Sequence, residues 1–255
     1  MRTTSARGLR ILACTAALVA AARDPALAQD EPRAGVIVEG ANIWSARNDV
    51  RIPSATGTEF SITDLIGSGP DDAVRLEATL QLAERHGLRF VYAPIRIGGT
   101  GVPAGPILFA GESFTTQPTE AAYQFDNYRL TYRYRVYDGD TWRWKIGFTG
   151  FVRDARIALA QPGAGAEDTD VGFVPLGHVS GEARLSARWG LRLEVDGSAA
   201  PQGRAFDVLA ALEYRPSPRW TLSAGYRTIE GGADVEEVFA FAWLNVAVVR
   251  VGVNF

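Results

Sequence analysis

The stretch GHVSGE places three residues that could do chemistry at every second position: His178, Ser180 and Glu182. Alternate side chains of a β-strand point to the same face, so a strand here would hold all three side by side. A histidine next to a serine hydroxyl is the minimum arrangement for nucleophilic catalysis, in which the histidine acts as the base. His178 and Ser180 are therefore the candidate catalytic residues of the chain.

The rest of the sequence offers little that points to an enzyme. The second histidine, His86, stands beside Gly87 in a predicted turn. No glycine-rich phosphate loop precedes a helix, no cysteine and histidine spacing suits a metal, and no basic run suits nucleic acid. The net charge of −3 gives no reason to expect a polyanionic partner. We therefore expect no metal, no cofactor and no nucleic-acid partner, and the sequence favours a role without catalysis.

The elements that must position these residues are β-strands. In NYRLTYRYRVY and TWRWKIGFTG, large apolar residues alternate with arginine, lysine or threonine, so each segment has one apolar face and one charged face. A soluble β-sandwich also alternates in this way. However, the segments at 125–137, 141–153 and 241–255 are longer than a usual globular strand and suit the tilted strands that cross a bilayer. Aromatic residues beside the short turns are typical of the girdles of membrane barrels.

The first 28 residues differ from the rest of the chain. Early arginines precede the apolar run ILACTAALVAAA, and Ala26-Leu27-Ala28 offers small residues at a cleavage site. This pattern predicts a secretory signal peptide over residues 1–28. The only cysteine, Cys14, lies within it, so we expect no disulfide in the exported protein.

The chain ends in NVAVVRVGVNF, with Val249, Val251, Val253 and the terminal Phe255 on one face of the predicted strand. This ending resembles the C-terminal strand of Gram-negative outer-membrane β-barrel proteins. The resemblance implies a location in the bacterial outer membrane, with outer-membrane lipids and lipopolysaccharide as neighbours. It also implies that the barrel assembly machinery recognises the last strand. It indicates a class of protein and no particular activity.

The predicted fold class is all-β, a transmembrane antiparallel barrel of about ten strands, with eight or twelve as alternatives. Nine strands are predicted, at 73–85, 88–97, 124–137, 141–158, 172–187, 190–196, 204–215, 219–229 and 240–255. Single-chain bacterial barrels have even strand numbers, so a tenth is required. GTEFSITDLI (57–66) is the candidate and IVEGANIWS (37–45) the substitute, and a twelve-strand barrel would recruit 107–116.

This count divides the chain into a signal peptide, an N-terminal periplasmic lead or plug segment over 29–56, and the barrel over 57–255. Two local features are also predicted. The apolar phase slips near Val152–Arg156, which suggests a β-bulge. The acidic segments 166–170 and 230–237 are predicted as external loops.

The charged faces of the strands would line the lumen. Because unpaired buried charges are costly, one interpretation is a lumen plugged by salt bridges, for which the planar fork of arginine is well suited. The other is an anion-attracting constriction, because arginine outnumbers acidic residues on these faces. The predicted lumen-lining or pore-lining residues are Arg129, Arg133, Arg135, Arg143, Lys145, Glu182, Arg184, Arg192, Glu194, Asp207 and Glu213.

Three functions follow, in order of preference: a structural or anchoring barrel with a charge-plugged lumen, a narrow pore for small anions, and a lipid-acting hydrolase. The third rests on the His178–Ser180 pair, which resembles the His-x-Ser pair of outer-membrane lipid A deacylases. In that family the pair faces lipid, whereas the alternation here turns Val179 and Leu185 outward and both candidates inward. The asparagine that follows the serine in that family is Gly181 in this chain.

Overall fold

The computed structural model describes residues 32–255, and its main element is a closed antiparallel barrel of ten strands. The ring closes where the last strand pairs with the first, from Gly35↔Asn254 to Arg51↔Phe239. The wall strands are β1 (Ala34–Arg51), β3 (Asp71–Ala83), β4 (His86–Gly101), β7 (Thr119–Asp138), β8 (Trp142–Gln161), β9 (Ala164–Arg184), β10 (Trp189–Ala200), β11 (Gly203–Ser217), β12 (Trp220–Asp234) and β13 (Phe239–Asn254). The predicted signal peptide over 1–28 lies outside the described residues.

The two ends of the barrel differ in their connections. At one end, tight turns join β3 to β4, β7 to β8, β9 to β10 and β11 to β12, and Ala34 exchanges backbone hydrogen bonds with Phe255. At the other end, segments 52–70 and 102–118 form longer connections with small elements of their own. Outer-membrane barrels have short periplasmic turns and longer external loops, so we assign the first end to the periplasm.

The outer surface of the wall carries the apolar face that the alternation predicts. Exposed aromatic side chains lie towards both ends, such as Trp189 and Trp220 near the periplasm and Trp44 and Trp243 near the outside. Between them the wall exposes mainly large aliphatic and aromatic side chains, including Val38, Leu76, Phe90, Leu130, Ile146, Phe148, Val179, Leu212, Leu222, Val249 and Val251. A closed barrel with such a band belongs in a bilayer. The predicted fold class and outer-membrane location are confirmed.

The assignment of residues 29–56 as a lead or plug was wrong. Residues 34–51 form β1, a full wall strand paired with β3 and β13. The substitute segment 37–45 therefore lies in the strand that was missing from the predicted nine. The preferred candidate, 57–66, instead forms the short β2 (Phe60–Ser61) and helix α1 (Ile62–Ile66). A register shift between Ser45 and Arg47 changes which positions face inward, and this hides the alternation of β1 in the sequence.

Residues 107–116 do not add strands to the wall. They form the hairpin of β5 (Ile107–Phe109) and β6 (Glu112–Phe114), whose Phe109 and Phe114 are fully buried beside Ile52 and Ile62. The hairpin, β2 and α1 therefore pack as a cap at the external end of the lumen. No helix of residues 32–255 is long and apolar enough to span a membrane.

The predicted bulge near Val152–Arg156 was also wrong. β8 pairs without a register shift from Phe151 to Ala160 on the β7 side, and throughout on the β9 side. Odd positions face inward along the whole strand, from Lys145 to Leu159. The apparent slip has another cause: the interior itself changes from charged to apolar there.

The acidic segments predicted as external loops lie largely within strands. Residues 166–170 belong to β9, and residues 230–234 belong to the end of β12. The wall therefore extends outward through regions that were predicted as loops. The β8–β9 hairpin has only two residues, 162–163, between its strands.

Candidate functional site

The periplasmic part of the barrel interior is filled by paired charges, which we call the charged section. Its members come from every wall strand, because inward positions on each strand carry arginine, lysine, glutamate or aspartate where the alternation requires them. Its paired members are Glu39, Arg75, Glu77, Arg89, Arg129, Lys145, Glu182, Arg192, Glu194, Asp196, Asp207, Glu213, Arg227 and Arg250.

Asp207 is the centre of the upper part of this section. Its carboxylate accepts from Arg227 at 2.6 Å, from Arg129 at 2.7 Å and from Arg75 at 3.2 Å. All four side chains are almost completely buried. Three arginines thus share one aspartate, and the planar guanidinium fork lets Arg129 and Arg227 bond a second partner as well. Arg227, for example, also donates to Glu39 at 2.9 Å.

The same pattern continues towards the periplasm. Arg89 donates to Glu194 at 3.0 Å and also bonds Asp196. Arg192 donates to Glu213 at 2.5 Å and lies 3.2 Å from Glu194. Most of these bridges join different strands, such as Arg89 on β4 with Glu194 on β10, so the pairs link the wall across its interior.

Arg133 differs from its neighbours. It is buried on β7 near Arg89 and Arg192, yet it forms no ion pair with any other residue of the 32–255 segment. Its Nε has no hydrogen-bond partner there either. Glu77 and Glu194 are near enough to act on the charge of Arg133, but no carboxylate of the described residues lies within ion-pair distance of it.

The predicted lumen-lining residues fall into two groups. Most lie inside the charged section, either buried or largely so: Arg129, Arg133, Lys145, Glu182, Arg192, Glu194, Asp207 and Glu213. Arg135, Arg143 and Arg184 instead approach Asp138 at the periplasmic rim, at 2.9, 3.1 and 3.5 Å. The rim position follows from the turn after β7, where Asp138 is the last strand residue.

The predicted pair His178 and Ser180 faces the lumen and has a third partner. His178 Nδ1 lies 2.7 Å from Asp196 Oδ1, and its Nε2 lies 3.2 Å from Ser180 Oγ. With the Nδ1 proton donated to the aspartate, Nε2 accepts from the serine hydroxyl. This is the order of contacts in a serine–histidine–aspartate triad. β9 and β10 produce it because His178 and Asp196 are directly paired.

Access separates this arrangement from a working triad. Ser180 is 3% exposed and His178 2%, and Asp196 also bonds Thr149 at 3.1 Å and Arg129 at 3.3 Å. Residues 178 and 180 do not line the cavity described next. Along β9, its lining ends at Leu176 on the periplasmic side. The arrangement is a buried hydrogen-bonded cluster within the charged section.

The external part of the interior is lined mainly by hydrophobic side chains, which we call the apolar section. Its buried members include Ile43, Ile95, Ile97, Tyr123, Ile157, Leu159, Leu244, Val246 and the capping residues Phe109 and Phe114. It contains a cavity of about 400 Å³. Arg129 and Asp207 lie at its boundary with the charged section and also line it.

Sequence reasoning missed part of both sections. Glu39 was not predicted as a lumen residue because its segment was assigned to the lead, although VIVEG places it between apolar outward positions. The cavity escaped because alternation marks polar lumen residues and cannot distinguish an apolar interior from a lipid face. Among the described residues, no group of three or more histidine, cysteine, aspartate or glutamate side chains could hold a metal.

Comparison with known proteins supports the fold and gives no family. The structure is similar to the outer membrane protease OmpT from Escherichia coli, with a TM-score of 0.53 and 9% identity over 87% of this chain and 96% of that one. A weaker similarity is to the attachment invasion locus protein Ail of Yersinia pestis, with a TM-score of 0.39 and 9% identity over 86% of this chain and 99% of that one. The structure is also similar to Neisserial surface protein A, with a TM-score of 0.37 and 13% identity over 87% of this chain and 97% of that one.

No protein-family model matches the chain, and no curated protein matches it. At 9% identity, the similarity to OmpT concerns the fold alone. Fold and outer surface together define this chain as an outer-membrane β-barrel protein.

Proposed function

We propose that this protein is a non-conducting outer-membrane barrel, with a structural or anchoring role and a lumen closed by its own charges. The observation that carries the proposal is the ion-pair network of the charged section. It joins strands as distant in sequence as Glu77 and Arg250, which are 173 residues apart. A conducting lumen needs a continuous hydrated path, and buried ion pairs between facing strands, such as Arg89 with Glu194, support its closure.

Planar-bilayer conductance tests the proposal. Purified protein that is folded, as shown by heat-modifiable migration and β-rich circular dichroism, is expected to give no steady single-channel steps in 1 M KCl. A known porin in the same membranes serves as the positive control. Regular steps from the folded protein would contradict a closed lumen.

The second candidate, a narrow path for small anions, is favoured by one observation, the unpaired Arg133. An anion could neutralise this buried guanidinium, near which Arg89 and Arg192 also carry positive charge. A reversal potential in a KCl gradient that indicates chloride selectivity would support it. Loss of that selectivity in Arg133→Gln, but not in Arg204→Gln on the outer surface, would assign it to this residue.

A further inference from the structure

The cavity of the apolar section has the size of a small-molecule site. Its volume of about 400 Å³ lies in the range of roughly 300–1,000 Å³ that such sites occupy. Its lining is dominated by apolar side chains, such as Phe151, Ile157, Leu176 and Leu244. Such a lining favours an apolar ligand over water or a polar solute.

The barrel wall is interrupted beside this cavity. The pairing of β9 with β10 ends at Gly177↔Gly197. Beyond that point β9 remains paired only with β8, as far as Ala164, and β10 only with β11, as far as Ala200. Pro175, which has no N–H to donate, lies in the unpaired part of β9. We call this gap between β9 and β10 the seam.

The seam connects the cavity with the lipid-facing surface. The cavity is lined by inward residues and also by the outward-facing Phe173 and Phe206, from either side of the seam. Both rings belong to the exposed outer surface. Outward-facing ion pairs, Arg156 with Glu167 at 2.6 Å and Arg204 with Glu230, lie nearer the external end of the same strands. The seam therefore opens at the outer edge of the apolar band, where a lipid chain can approach.

Two buried hydrogen-bond donors line the cavity without partners. Asn48 is 1% exposed and its Nδ2 bonds no other described residue. The register shift before Arg47 turns Asn48 inward, whereas continued alternation would have turned it outward. The Nε of Arg129, 3% exposed, is also unpartnered. A buried donor without an acceptor is unfavourable, and a ligand oxygen could satisfy either one.

We propose that this cavity binds a single acyl chain whose head group carries a carboxylate or ester oxygen, and that the chain reaches it from the membrane through the seam. The apolar lining would take the chain, and Asn48 or Arg129 would donate to the oxygen. A fatty acid and one chain of a membrane lipid share this chemistry.

Photo-crosslinking in nanodiscs tests the proposal. The protein would be reconstituted in phosphatidylethanolamine and phosphatidylglycerol with palmitic acid that carries a diazirine near its methyl end. After irradiation, mass spectrometry of the peptides would locate the label. Label on inward residues, such as Ile157 and Leu244, is expected, and unlabelled palmitic acid should compete with it.

Cavity-filling variants provide the comparison. Ala155→Trp places a large side chain in the cavity and should reduce inward labelling about tenfold or more. Ala210→Trp, on the outward face of β11, makes the same change against lipid and should leave it unchanged. Ala242→Phe is a second filling variant on a different strand, in case Ala155→Trp fails to fold. Asn48→Leu keeps the size but removes the donor, and should weaken competition by palmitic acid about tenfold.

Two results would overturn the proposal. One is label confined to outward residues. The other is inward labelling that is as strong in Ala155→Trp and Ala242→Phe as in the outward control Ala210→Trp. A second probe, a phospholipid with the diazirine in one acyl chain, identifies the source of the ligand. Inward label from this probe would indicate a membrane lipid chain, and inward label from palmitic acid alone would indicate a free fatty acid.

Discussion

The charged and apolar sections fill one barrel by opposite means. In the charged section, arginines and carboxylates from facing strands occupy the interior, and Asp207 alone serves three arginines. In the apolar section the wall supplies aliphatic and aromatic side chains, a hairpin and helix cap the end, and a cavity remains. Charged groups demand partners in fixed geometry, whereas apolar groups demand only contact. The proposed closure of the lumen therefore rests on the first section, and the proposed ligand site on the second.

The largest expected effect comes from removing the shared acid of the charged section. Asp207→Ala leaves Arg75, Arg129 and Arg227 without a common partner, and loss of one member of a buried ion pair costs about 3–5 kcal/mol. Urea unfolding in detergent micelles, followed by tryptophan fluorescence, measures this cost. Asp170→Ala removes the acid of a half-exposed pair with Arg153 and should cost about 1 kcal/mol or less. Equal costs for the two variants would contradict a tightly paired section.

A deletion in the apolar section should cost less. Leu244→Ala enlarges a cavity that already exists, so we expect about 2 kcal/mol, the low end for buried leucine. The same unfolding assay applies. Val249→Ala, on the outward face of the same strand and 60% exposed, is the matched control and should change stability little. A cost above that of Asp207→Ala would reverse the ranking of the two sections.

The histidine–serine pair gives a smaller effect. Ser180→Ala removes one hydrogen bond to His178 and should lower stability by about 1 kcal/mol. Esterase activity of the purified protein towards acyl esters should be the same in this variant and the wild type. An activity that disappears in Ser180→Ala while the fold persists would restore the hydrolase hypothesis.

The smallest effect concerns titration at the external end of the cavity, above the lipid-facing band. Burial raises the pKa of Asp168 above its ordinary value, and the charge of Asp170 raises it further. The ionised carboxylate is thus unfavourable in the folded state. The resulting loss of stability is fully present at pH values above the pKa of Asp168 in the folded protein. It disappears as the pH falls from that pKa to the lower, ordinary pKa of an aspartate. Asp170→Asn should lower the pKa of Asp168.

Nuclear magnetic resonance of carbon-labelled aspartate in micelles measures this pKa directly. Asp72→Asn removes an acidic charge on β3, and serves as the control that should leave Asp168 unchanged. An unchanged pKa in Asp170→Asn would show that these two carboxylates are not close enough to interact.

The wall could be predicted from the sequence because a lipid face must be apolar at every second residue, as between Tyr128 and Val136. Strand β1 could not, because its register shift and a polar stretch at Ser45–Asn48 break the pattern. The interior was predictable only where it is charged. From Phe151 to Ile157 most inward positions are apolar while Asp154 and Arg156 point outward, so charge no longer marks the inside of the strand.

The candidate site shows the same limit. The alternation turned His178 and Ser180 inward, and the structure places them there. Their contact with Asp196 depends on the pairing of β9 with β10, which no single segment reveals. The seam likewise arises from two strands that stop pairing, and only Pro175 hints at it in the sequence.

Cysteine accessibility tests most directly whether a sealed section lies beneath an accessible one. In a Cys14→Ser background, Thr149→Cys and Ala155→Cys place thiols on the same inward face of β8, the first in the charged section and the second in the cavity. With N-ethylmaleimide in nanodiscs, Ala155→Cys should be labelled completely while Thr149→Cys remains unlabelled. Labelling of both thiols at similar rates would contradict a lumen closed by paired charges.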